Sequence, residues 1–126
     1  SNILDLDPFT LYLVTQRDLK SGGFSVDACR SMVALMDTSI TGKLNSEEFV
    51  GLWGKITTFK DIFFRTDVSR TGTLSMSELR NAIAAIGNLS IVVKFRSSSG
   101  HMSLENFISL VLRYECMSSK YNHVTQ

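Results

Sequence analysis

Two stretches of this sequence place oxygen-bearing groups at nearly every second position. In the stretch from Asp37 to Glu48 these are Asp37, Ser39, Thr41, the carbonyl of Lys43, Asn45 and Glu48. From Asp67 to Glu78 they are Asp67, Ser69, Thr71, the carbonyl of Thr73, Ser75 and Glu78. Carboxylate, hydroxyl and carbonyl oxygens are hard donors, and what they do together is hold a hard divalent cation. The spacing is that of a twelve-residue calcium loop. Such a loop draws oxygens from positions 1, 3, 5, 7 and 9 and a bidentate Glu from position 12, with Gly at position 6 where the chain turns sharply. Gly42 and Gly72 stand at position 6, and Leu44 and Leu74 at the core-facing position 8. A single Asp-x-Ser-x-Thr-Gly run is an ordinary polar turn. Here two full copies begin 30 residues apart, each with helical patterns on both sides.

Charge sets the expected strength. Among the ligand positions each loop has carboxylates only at 1 and 12, because position 3 is Ser39 in one and Ser69 in the other. Two carboxylates neutralise a dication without excess, so the expected affinity for Ca2+ is weak, roughly 10⁻⁵ to 10⁻³ M. A third loop, with Gly100 at position 6, starts at Phe95 and ends at Asn106. It keeps Ser97, Ser99 and the apolar Met102, but neither end can chelate, so it is expected to stay empty. His101 falls at its position 7, where only the carbonyl would count.

These loops need helices to hold them. Asp7-Pro8 reads as an N-cap followed by proline at the first helical position, with a helix from Phe9 to about Gln16. Arg17 to Phe24 reads as loop. Ser25 caps a helix over Val26 to Met36, whose Val26, Cys29, Val33 and Met36 share one face. A long helix begins at Asn45 or Ser46 and reaches Thr66, and Gly51 and Gly54 each weaken it by about 1 kcal/mol. Another helix runs from Ser77 to Ile86, stopped by Gly87. The short segment Leu89 to Phe95 precedes the third loop, a last helix spans Leu104 to Met117, and 118–126 is expected to fray. The fold class is therefore all-α, of paired EF-hands with short antiparallel bridges between loops. Leu74 should pair with Met102. Leu44 needs a partner as well, and Leu6 is the residue left to supply it. Glu78 is expected at an exposed loop end, important to the ion and of little weight in the metal-free protein.

The chain resembles the penta-EF-hand domain of calpains, the calcium-dependent cysteine proteases. The resemblance rests on Asp18 through Asp37, on Thr41 through Phe49, on Leu52-Trp53 and on Ser77-Glu78-Leu79, and more loosely on Gly100 through Ser109. It implies a first-hand remnant at 1–24, with Thr10 in place of the chelating Glu, then hands at 25–66, 59–87 and 88–117. It also implies a calcium-binding regulatory and dimerisation domain like the one that ends the calpain large subunit. The partners implied are the protease's catalytic domains and a second penta-EF-hand domain, as homodimer or heterodimer. Three features depart from the family, the first being that its first loop is not complete here. The Asp67 and Phe95 loops begin only 28 residues apart, and no fifth loop follows Met117.

Composition excludes other classes. The 126 residues include 13 Lys and Arg against 12 Asp and Glu, a formal net charge of +1. Neither a basic excess for nucleic acid nor a polybasic membrane anchor is present. No apolar run approaches the roughly 18 residues of a membrane span. The chain opens Ser1-Asn2 without a charged-then-apolar leader, which predicts a protein that is not secreted. Two widely spaced cysteines, Cys29 and Cys116, form no metal or disulfide pattern and predict a reducing, cytoplasmic setting. Cys29 on an apolar helix face reads as core, and Cys116 has only the distant His123 as a base, so the chain itself is not expected to be an enzyme. Two alternatives remain open at this level: a metal-independent EF-hand interaction module, and a free-standing penta-EF-hand adaptor.

Overall fold

The computed structural model describes residues 5–19, 23–38, 40–87 and 101–125, with side chains described as far as residue 115. Its elements in chain order are α1 (Pro8–Asp18), α2 (Val26–Met36), α3 (Ser46–Thr66), β1 (Leu74–Ser75), α4 (Met76–Ile86), β2 (His101–Met102) and α5 (Leu104–Thr125). The segment Leu89 to Phe95 and most of the third loop lie outside the described residues.

Each helix starts where a side chain can take up an orphan amide. Asp7 accepts from the Thr10 amide at 2.8 Å, with Pro8 following in the first turn. Ser25 accepts from the Ala28 amide at 3.1 Å. α3 and α4 both open with a capping box, Asn45 with Glu48 and Ser75 with Glu78. Gly87 ends α4 in the left-handed conformation, φ 89°, and its amide returns to the carbonyls of Ile83 and Ala84.

The ends of α1 and of the last helix differ from the sequence expectation, whereas α3 spans the expected residues. α1 runs two residues past Gln16, to Asp18. α3 is continuous for 21 residues through Gly51 and Gly54. Its buried stripe of Leu52, Ile56, Phe59, Ile62 and Phe63 supplies packing that outweighs the two glycines. The last helix extends to Thr125 rather than ending at Met117 and fraying from 118. No Gly or Pro follows Gly100, so no backbone feature stops it.

Two short antiparallel contacts tie the loops together. Leu74 pairs with Met102 and Ser75 with His101. Leu6 and Leu44 exchange both main-chain hydrogen bonds at 2.8 Å. Both pairings are those expected from position 8. Beneath them lies one core that includes Leu11, Phe24, Cys29, Met32, Phe63, Ile83, Phe107 and Val111. α1 packs on α2, α2 on α5, and α3 on both α4 and α5. Two polar ties reach across it. Lys55 meets Glu115 at 2.7 Å, joining α3 to α5. Glu105, in the first turn of α5, accepts from the amide and hydroxyl of Ser25 at 2.8 and 3.0 Å. Among the described residues no helix is long and apolar enough to cross a membrane.

Candidate metal centres

The two loops sit at opposite ends of α3 and repeat one backbone course. Position 4 is left-handed in both, Ile40 at φ 56° and Arg70 at φ 57°, and so is position 6, Gly42 at φ 80° and Gly72 at φ 82°. Such angles are open to glycine and strained for a β-branched residue such as Ile40. This shared curl turns the amides of positions 5 and 6 onto the carboxylate of position 1. Asp37 Oδ2 accepts from Thr41 N at 2.9 Å and Gly42 N at 2.6 Å. Asp67 accepts from Thr71 N at 3.2 Å and Gly72 N at 2.9 Å.

The position 5 hydroxyl closes on the position 7 carbonyl. Thr41 Oγ1 donates to the Lys43 carbonyl at 3.0 Å, and Thr71 Oγ1 to the Thr73 carbonyl at 2.9 Å. The position 12 carboxylate is held at both oxygens. Glu78 Oε1 accepts from the Ser75 amide at 3.0 Å, while Oε2 accepts from the Ser69 amide at 3.1 Å and the Ser69 hydroxyl at 3.0 Å. Ser69 Oγ also lies 3.4 Å from Asp67 Oδ1, so one hydroxyl stands between the two carboxylates. Glu48 Oε1 accepts from the Asn45 amide at 3.0 Å, and its Oε2 from the amide and hydroxyl of Thr38 at 2.9 and 2.7 Å.

The structure thus brings Asp67, Ser69 and Glu78 together, and places Thr71 and Thr73 along the same curl. It arranges Asp37, Thr41, Lys43 and Glu48 in the same order. Ser39 lies outside the described residues. One expectation is corrected: Glu78 is not at an exposed loop end but is buried, at 6% exposure, as is Asp67 at 4%. The reason is the capping box, which folds the Glu78 side chain back over the start of α4. The amides of Ser75 and Ser69 hold its carboxyl below the usual 4.5, with burial and the nearby Asp67 opposing. Burial likewise opposes the charged form of Asp67. The amides of Gly72, Thr71 and Arg70 and the Ser69 hydroxyl outweigh it, and the carboxyl stays below 3.8.

Sequence reasoning missed two residues. Thr38, at the non-ligating position 2, grips Glu48, and nothing in the loop pattern marks it. Glu105 reaches Ser25 across 80 positions, a contact with no local signal. Cys29 is buried as expected, and burial pushes its thiol up to about 11. The donor set of each loop is all oxygen with two carboxylates, which suits a hard dication of the calcium kind.

Helix, oxygen-lined curl and helix, joined through position 8, define a protein of paired EF-hands. Comparison with known proteins narrows this. Calpain small subunit 1 of Homo sapiens is 43% identical over 108 residues, covering 79% of this chain and 40% of that protein. The Bos taurus small subunit 1 is 42% identical over 108 residues, covering 79% of this chain and 41% of that protein. Calpain small subunit 2 of Homo sapiens is 38% identical over 112 residues, covering 83% and 45% respectively. The chain therefore spans less than half the length of these curated relatives. A solved structure of a homolog of programmed cell death 6 protein from Leishmania major Friedlin matches with a TM-score of 0.64. At 20% identity over 85% of this chain and 62% of that one, this likeness concerns the fold alone. No protein-family model matches the chain. The fold and these relatives support a calpain-like penta-EF-hand domain. Over the matched residues it resembles the small subunits of calpain.

Proposed function

We propose that this domain is a calcium-responsive regulatory module of a calpain. Asp37, Ser39, Thr41, the Lys43 carbonyl and Glu48 would hold one ion. Asp67, Ser69, Thr71, the Thr73 carbonyl and Glu78 would hold another. The observation that carries the reading is the identical course of the two loops, with matching φ at positions 4 and 6 and matching amides on Asp37 and Asp67. Two carboxylates per loop keep the proposed affinity for Ca2+ weak, about 10⁻⁵ to 10⁻³ M. The division into hands at 1–24, 25–66, 59–87 and 88–117 belongs to the same proposal. So do a cytoplasmic setting and partnership with calpain catalytic domains or a second penta-EF-hand domain. Likeness to the small subunits favours a role beside a large subunit. Calorimetric titration with calcium tests the reading: two sites in that range support it, and no heat at millimolar calcium refutes it.

A second reading has its own support. The loops are closed by their own hydroxyls and amides, as a metal-independent interaction module would need. That reading predicts no calcium heat together with undiminished association with a calpain large subunit in chelator.

A further inference from the structure

We propose that Thr38 is an autoinhibitory latch on the 37–48 loop, a contact with which a cation must compete for Glu48. This rests on the reading of that loop as a calcium site. Position 2 of the loop supplies no metal ligand. Yet the Thr38 hydroxyl donates to Glu48 Oε2 at 2.7 Å, and the Thr38 amide to the same oxygen at 2.9 Å. The other carboxylate oxygen accepts from the Asn45 amide at 3.0 Å, as half of the α3 capping box. Both oxygens that a bidentate Glu would turn to an ion are therefore engaged from within the chain.

The sister loop shows what is particular here. Its position 2 is Val68, 77% exposed, which has no hydroxyl to offer. There the hydroxyl on the position 12 carboxylate comes from Ser69, itself a ligand position. In the 67–78 loop the latching oxygen can be recruited by the ion. In the 37–48 loop the Thr38 oxygen stands outside the ligand set and only holds Glu48 back. A hydrogen bond to a charged carboxylate contributes more than a neutral one, so its loss on metal binding weakens the affinity measurably. The two loops of one domain thereby differ in response while sharing a donor pattern.

Thr38→Val tests this, because it removes the hydroxyl, keeps the side-chain shape, and copies the residue that the sister loop carries. The donor set stays intact. In chelator, the variant should show faster hydrogen exchange than the unsubstituted chain at the amides of position 38 and Asn45, the two that donate to Glu48. In calorimetric titration with calcium, one site should tighten by about three- to tenfold while the other is unchanged. Unchanged exchange in chelator overturns the latch whether or not calcium binds. Faster exchange with unchanged or weaker affinity overturns the competition with the ion. If neither chain takes up calcium and exchange is faster, the calcium reading fails and with it the autoinhibitory role.

Discussion

Leu74→Ala tests how the metal-free fold is held. Leu74 is 1% exposed and belongs to the core that includes Phe63, Ile83 and Phe107. Replacing it removes about 2 kcal/mol of transfer free energy at roughly 0.8 kcal/mol per buried methylene. A cavity contribution adds to this when the surroundings cannot close. They are poorly able to close here, because Leu74 is paired on its main chain with Met102 and sits directly before α4. The loss should therefore be about 3–4 kcal/mol, within the usual 2–5 kcal/mol for this substitution. A domain has roughly 5–15 kcal/mol in all. For a chain of this size that corresponds to a fall in melting temperature of about 10–20 °C. Thermal unfolding followed by far-UV circular dichroism in chelator is the assay. Val68→Ala is the control, since Val68 is 77% exposed and its loss should stay within about 0.5 kcal/mol. A shift of only a few degrees for Leu74→Ala, or equal shifts for both variants, would refute the loop register and the bridge to Met102.

Three further outcomes follow from two buried groups. Glu78→Gln should lower the stability of the metal-free protein, since the carboxylate caps α4 and closes on Ser69; an unchanged melting temperature in chelator would contradict this. The folded carboxyl lies below its ordinary 4.5. Its stabilisation is thus present above the unfolded value and lost as pH falls through the folded one. Denaturant midpoints should accordingly decline below about pH 4.5, and less steeply in Glu78→Gln; parallel curves would count against it. Cys29, with its thiol pushed up to about 11, should resist alkylation at pH 7.5 in the native protein and react on unfolding. Peptide mapping by mass spectrometry reads this, and rapid native labelling at Cys29 would contradict the burial.

The parts of this fold legible in the sequence are those encoded locally. Position 8 of each loop, Leu44 and Leu74, announced a paired leucine. Leu6 followed because little else preceded α1. Helix α2 was bounded by Ser25 and the polar run after Met36, and α4 by Gly87. Glu48 and Glu78 read as candidate ligands, but Asn45-x-x-Glu48 and Ser75-x-x-Glu78 are also capping boxes, and one pattern masks the other. That second role is what buries Glu78. The bond from Glu105 to Ser25 depends on how α5 lies against α2, and no spacing encodes that. The reach of α5 to Thr125 is not legible in the polar composition of 118–125, because polar residues do not end a helix and no glycine or proline is there to impose a stop.

The claim that both loops bind calcium is tested most directly by a two-dimensional amide spectrum recorded through a calcium titration. Gly42 N donates to Asp37 Oδ2 at 2.6 Å and Gly72 N to Asp67 Oδ2 at 2.9 Å, so each amide reports the carboxylate at position 1 of its loop. Both glycine resonances should move and saturate at calcium concentrations of about 10⁻⁵ to 10⁻³ M. Glycine resonances that stay fixed at millimolar calcium would contradict the claim.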